Sequence, residues 1–396
     1  MKWAESFGKG ARALFLIFSI IISCAFGVNS VYAEGTGIYA QSDQFTNRDM
    51  AQAPDFGDAV YLSLTDQSDL RITDAGVYVI SGSVSNATIF VDAASDDKVQ
   101  LVLQDASIQN SSFPCIYVTK ADKVFVTVLG DNALAVSGTF KAYGNTKTDG
   151  VIFSKSDLVL NGTGTLTISS TANGIVCKDD LKITGGSYTV TAASKALAAN
   201  DSIRIAGGSF TLKAGTDGLH AENESDSSLG YIYIAGGAFT ISAGDDAIHG
   251  QSVIQIDNGE FSISASEGLE GTYVQVNGGS IHIQGRDDGI NAANKSDAYR
   301  TTIEINGGSI TIVMSSGDTD GIDSNGDLYI NGGVIDVTGG STFDYDGMAQ
   351  YNGGTIIVNG QQVDSIPNQR MGGGRGQSFG GWQNGGGEGV WGGKRR

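Results

Sequence analysis

Carboxylates recur along this chain at a spacing that suits a hard cation. Asp217, Asp246, Glu267, Asp288, Asp320 and Asp346 open successive blocks of about 22 residues, following Asp149, Asn173 and Lys195 in the earlier blocks. Three residues beyond the opener runs a second column: Ile152, Val176, Ala198, His220, His249, Glu270, Asn291 and Asp323. It changes from apolar to polar where the acids thicken. Asp245, Asp287 and Asp318 add further carboxylates beside it. Stacked as rungs about 4.8 Å apart, such like charges repel and raise one another's pKa values. Either turn amides or a divalent cation must offset that repulsion. An oxygen-rich donor set with no Cys and little His suits calcium rather than zinc. The expected ligands are Asp245, Asp246, Glu267, Glu270, Asp287, Asp288, Asn291, Asp318, Asp320 and Asp323. His220 and His249 lack the further ligands of a transition-metal centre and read as surface histidines.

Sugar recognition is a second chemistry within reach. Tyr233, Tyr273, Tyr299 and Tyr329 fall at strand or corner positions, with Tyr231 and Tyr345 in similar places. An exposed tyrosine offers an apolar ring face for stacking and a polar tip for a hydroxyl. A ladder of Thr167, Thr189, Thr211, Thr240, Ser262, His282 and Thr311 forms a flat hydroxyl-rich face. β-Branched residues also simply suit strands, so that face carries little weight alone.

The elements that must position these groups are short strands. Each block contains three runs of alternating apolar and polar residues, such as 174–177, 180–183 and 187–190, which is the period of strands. A turn closes each block, as in Thr184-Gly185-Gly186, Asn277-Gly278-Gly279 and Asn331-Gly332-Gly333. A unit of this length cannot bury its own apolar face, so stacking must supply the core. The expected fold is all-β, a right-handed parallel β-helix with three strands per coil. Its core stacks are Leu158, Leu181, Ile203, Ile232, Ile254, Val274, Ile303 and Leu328 on the second strands. On the third they are Leu166, Tyr188, Phe210, Phe239, Phe261, Ile281, Ile310, Ile335 and Ile356. Two coils carry extra residues at one corner, 222–230 and 293–301, where loops would wall a groove.

Residues 1–33 read as a signal peptide: Lys2, Lys9 and Arg12, then an apolar stretch over 13–28, then Val31-Tyr32-Ala33. The rival reading is a lipoprotein anchored through Cys24. Residues 34–70 are expected to be a leader and cap, 71–367 the β-helix, and 368–396 a disordered glycine-rich tail. The chain is therefore expected outside the cell, with no membrane insertion once the leader is removed. Only Cys115 and Cys177 remain beyond it, which is no disulfide framework. The 43 Asp and Glu outnumber 24 Lys and Arg, giving a net charge of −19 that repels nucleic acid. A polyanion would bind such a body only through a bridging cation.

Four strings carry a family resemblance. They are Ile72-Thr73-Asp74-Ala75-Gly76-Val77-Tyr78, residues 150–158, Asp217-Gly218-Leu219-His220-Ala221-Glu222-Asn223, and residues 317–326. With the glycine-rich tail they resemble a clostridial family of secreted carbohydrate-binding β-helix proteins. The resemblance runs over about 72–367. It implies a pectate-lyase-like fold that holds calcium and binds cellulose and acidic sugars such as polygalacturonate, without catalysis. Asn173 and Lys195 interrupt the acid ladder, which argues against calcium at those coils.

Three functions follow. The first is an extracellular binder of plant-cell-wall-type polysaccharide, an acidic polymer, cellulose or both, using calcium. The second is a calcium-dependent lyase, for which Arg286 beside Asp287-Asp288, or Arg300 in the inserted loop, is the candidate base. The third is a structural surface protein whose glycine-rich tail does the interacting.

Overall fold

The strands form because β-branched and aromatic residues alternate with polar ones, and they end where glycine permits a left-handed turn. In a computed structural model, which describes residues 37–65, 68–317 and 319–368, the second glycine of the closing turn has positive φ, for example 92° at Gly186 and at Gly279. The signal-peptide and Cys24 readings, Asp318 and residues 369–396 of the tail fall outside the described residues.

Each strand pairs in parallel with the corresponding strands of the coils before and after. Asn173–Cys177 lies between Gly150–Ser154 and Leu197–Ala199. Asp180–Ile183 lies between Asp157–Gly162 and Ser202–Ile205, and Ser187–Ala192 between Thr165–Ser170 and Ser209–Ala214. The result is an all-β solenoid of three parallel ladders, here called first, second and third in chain order within a coil. The second and third ladders keep the registers expected for the core, from Leu158↔Leu181 to Ile303↔Leu328 and from Leu166↔Tyr188 to Ile335↔Ile356.

Stacking makes each inward position cohesive. The rings of Phe210, Phe239 and Phe261 lie parallel with centroids 4.6 Å apart, close to the strand spacing of about 4.8 Å. At the turns Asn277, Asn306, Asn331 and Asn352 form a ladder in which each Nδ2 donates to the preceding Oδ1 at 2.7–2.8 Å. The C-terminal end closes with an Asn359-Gly360 hairpin that pairs Thr355–Val358 antiparallel to Gln361–Val363.

The stack begins earlier than residue 71. Val60–Ser63 already pairs with Gly76–Ser85, and Leu70–Ile72 with Ile89–Asp92. Before them, residues 38–52 form a strap along the outward column of the second ladder. Tyr39 N donates to Gln255 Oε1 at 2.8 Å and Gln255 Nε2 returns a bond to Tyr39 O at 2.9 Å. Further on, Tyr39 stacks on Tyr231 at 4.4 Å and the Arg48 guanidinium lies 4.7 Å from the Phe125 ring centroid. Asp49, fully buried, meets Lys182 at 3.2 Å and Lys123 at 3.6 Å.

Candidate functional site: one column with an aromatic end and an acidic end

Parallel pairing in the first ladder defines a single outward column. It runs Phe90, Tyr117, Phe153, Val176, Ala198, His220, His249, Glu270, Asn291, Asp323 and Asp344. Two expectations are corrected. Phe153, not Ile152, faces outward here, because Asn173 pairs with Gly150 and the coil sits one residue further on. In the opener column Asp320 pairs with Ser341, so Asp346 lies past the ladder.

The histidines are not at the surface. His220 and His249 are each 9% exposed and their rings stack with centroids 4.6 Å apart. His220 Nδ1 lies 2.8 Å from Asp217 Oδ2, and its Nε2 lies 3.0 Å from Glu222 Oε2. His249 Nδ1 lies 2.8 Å from both Asp246 Oδ2 and Glu270 Oε2, and Lys295 Nζ reaches Glu270 Oε1 at 2.7 Å. Burial disfavours the charged imidazole of His249, but the two carboxylates outweigh it and push its pKa up to about 9. Burial likewise opposes ionisation of Glu270, yet His249 and Lys295 hold it below the usual carboxylate range. Asp217 is held low in the same way by His220. The middle coils thus set protein cations, Lys195, His249 and Lys295, against their acids, although burial and Glu270 still raise Asp246 to about 6.

The later coils do not. Burial, then repulsion from Glu270, pushes Glu267 up to about 8 against a 3.0 Å hydrogen bond from Asn291 Nδ2. Burial and the charges of Asp323, Asp287 and Asp320 push Asp288 up to about 7. Burial and the charges of Asp320, Asp344 and Asp346 push Asp323 up to about 6. Among the described residues no Lys or Arg lies within 4.0 Å of these three carboxylates. Asn291, 8% exposed, pairs in register with Asp323, and its buried Oδ1 has no protein partner. That orphaned acceptor among oxygen donors fits a hard cation.

The ten expected ligands therefore divide. Asp246 and Glu270 are closed by His249. Glu267, Asp288, Asn291, Asp320 and Asp323 stack in register in the later coils. Asp245 and Asp287 flank the openers as exposed residues. Ligand atoms approach within 4.8 Å as triples in Asp246–His249–Glu270 and in Asp157–Asp179–Asp180, among the described residues. The later acids are aligned but more open than convergence over three coils would make them. Sequence reading missed Asp157, Asp179 and Asp180, which belong to a different corner.

Of the four platform tyrosines, Tyr233 does not present a ring. It is fully buried below Phe45 of the strap, and its hydroxyl donates to Asp257 Oδ2 at 2.6 Å. Tyr299 meets the strap through Tyr39, hydroxyl to hydroxyl at 3.3 Å. Half-buried Tyr273 and Tyr329 donate to Glu304 Oε2 at 2.6 Å and Asp327 Oδ2 at 3.2 Å. The strap's contacts lie some two hundred residues away in the chain, so nothing local announces them.

The inserted loops do meet: the Ser296 hydroxyl donates to the Ser227 carbonyl. Beside the first loop lies a cavity of about 630 Å³ lined by Lys147, Lys178, Lys195, His220, Glu222 and Asn223. The two candidate bases are otherwise engaged. Arg286 Nη2 donates to the Ala243 and Gly244 carbonyls at 3.1 and 3.0 Å, and Arg300 pairs with Asp327 at 2.7 Å.

A family match agrees with carbohydrate binding. A carbohydrate-binding domain-containing protein of Acetivibrio thermocellus is 35% identical over 126 residues, covering 31% of this chain and 44% of that relative. The match thus spans less than half of the relative's length. A solved polysaccharide lyase-like protein from C. thermocellum is 29% identical, with a TM-score of 0.48 over 57% of this chain and 94% of that one. The family described as carbohydrate-binding domain-containing protein matches residues 66–273 and 264–366, nearly the whole solenoid, and the chain belongs to that family.

Proposed function

We propose that this chain is an extracellular, non-catalytic polysaccharide-binding protein that uses calcium at the acidic end of the column to hold acidic sugars. The observation that carries this reading is the buried, unpartnered Oδ1 of Asn291 among carboxylates without protein cations. Glu267, Asp288, Asn291, Asp320 and Asp323 would hold the ion. Calcium supplies charge neutralisation and open coordination positions for a uronate carboxylate. Without it, a chain of net charge −19 repels polygalacturonate. Export is supported by Lys2, Lys9 and Arg12 ahead of an apolar stretch. The right-handed winding of a parallel β-helix follows from the general handedness of parallel crossovers.

The engagement of Arg286 and Arg300 speaks against a lyase, since both side chains are spent on carbonyl and carboxylate acceptors of the protein rather than presented to a substrate. Affinity electrophoresis of the full chain through polygalacturonate, with calcium and then with chelator, tests the reading. Retardation with calcium alone is expected, with no unsaturated product accumulating. Retardation unaffected by chelator, or steady product release, contradicts it.

A further inference from the structure

The other end of the same column carries a second site. Phe90, Tyr117 and Phe153 stack outward in register, and Phe113 packs against Phe90 at 5.7 Å. A small hairpin, pinned by Tyr143↔Thr146 pairing, folds Tyr143 over this cluster, 5.2 Å from Tyr117 and 5.9 Å from Phe113. Tyr143 itself remains 46% exposed. Beside it opens a cavity of about 440 Å³, within the usual range of about 300–1,000 Å³ for small-molecule pockets.

Its lining is specific in kind. Aromatic rings of Phe90, Phe113 and Tyr143 supply the apolar surface, and no aliphatic side chain contributes. Planar polar groups edge them. Arg71 lies over the Phe90 ring at 4.4 Å and 3.7 Å from Asp69. Asn86, at φ 56°, accepts from the Ser111 amide at 3.1 Å, and no partner is seen for its Nδ2 among the described residues. Asn110 spends its Nδ2 on Phe113 and Pro114 carbonyls, while its buried Oδ1 has no partner. Arg71 and Asp69 cancel in charge.

We infer that this cavity is a calcium-independent subsite for a neutral hexopyranose, stacked on Phe113 and Tyr143 and hydrogen-bonded through Arg71, Asp69 and Asn86. A sugar ring has one face of C–H groups for an aromatic platform, and vicinal hydroxyls that match planar amide, guanidinium and carboxylate groups. A hydrophobic ligand would leave those polar groups desolvated, and an acidic sugar would meet a neutral site within an acidic body. This inference rests on the carbohydrate-binding reading but not on calcium.

The test is calorimetric titration of the full chain with cellohexaose and with mannohexaose in the presence of chelator. Saturable binding of at least one is expected, weakened about tenfold or more by Tyr143→Ala and by Phe113→Ala. Unchanged melting temperature for the exposed Tyr143→Ala variant excludes misfolding as the cause. No binding of either oligosaccharide, or binding indifferent to both aromatic variants, overturns the subsite. Polygalacturonate retention with calcium on the same samples separates the cases. If it persists, only this subsite falls; if it is absent too, the wider reading falls with it.

Discussion

At one end of the outward column stand Phe90, Tyr117 and Phe153; at the other stand Glu270, Asn291, Asp323 and Asp344. The backbone is the same at both, a parallel ladder that repeats each side chain near itself. What differs is whether repetition helps. Stacked rings gain dispersion and burial from one another, so the aromatic end needs only a covering hairpin. Stacked carboxylates gain repulsion, so the acidic end needs opposite charge. Between them Lys195, His249 and Lys295 supply that charge from within the protein, and among the described residues no Lys or Arg lies within 4.0 Å of Glu267, Asp288 or Asp323. A solenoid therefore amplifies whatever chemistry its sequence places at one position.

The sharpest way to break the contrast is to remove the cation from the middle. His249→Leu leaves Asp246 facing Glu270 in a buried setting, and a loss of about 3–5 kcal/mol in unfolding free energy is expected by urea denaturation. The matching aliphatic change at the aromatic end, Phe153→Leu, should cost about 1–2 kcal/mol.

The pH dependence sharpens it further. His249 has its pKa raised from 6.5 to about 9, so its contribution is fully present below pH 6.5 and fades as pH rises through 9. Metal-free protein should lose on the order of 1–3 kcal/mol across that window through His249, and His249→Leu should reduce the slope to the part set by Glu267 and Asp288. Tyr117→Phe, at the end of the column without acids, should leave the slope as it is.

Tyr117→Phe carries the smallest effect and the opposite sign. The Tyr117 hydroxyl is buried with no partner, so deleting it should stabilise the protein by about 1 kcal/mol in the same denaturation assay. A loss of stability would mean the hydroxyl has a partner in solution.

Much of this was legible in the sequence. Strict alternation and the Gly-Gly turn defined the coils, and the core registers from Leu158 to Leu328 follow from them. The polar part of the outward column, His220 to Asp323, was equally readable because those coils all open with Asp or Glu before a small residue, Gly or, at Asp246, Ala. The aromatic part was not. Coils before residue 138 lack the regular opener, so Phe90 and Tyr117 could not be aligned, and Phe153 was misplaced by one residue. Tyr143 lies on a hairpin outside the repeat. Tyr233 was lost to the strap, whose contacts with Gln255 and Lys182 are set by tertiary packing rather than period.

The most direct test of the account is a calcium titration by calorimetry on metal-stripped full chain, wild type beside Asp288→Asn. Saturable calcium binding to the wild type is expected, with affinity reduced about tenfold or more in the variant. The variant should also be more stable than wild type without metal, because one repelling charge is gone. Absence of calcium binding, or equal affinity in both proteins, would contradict the assignment of the acidic end as a cation site.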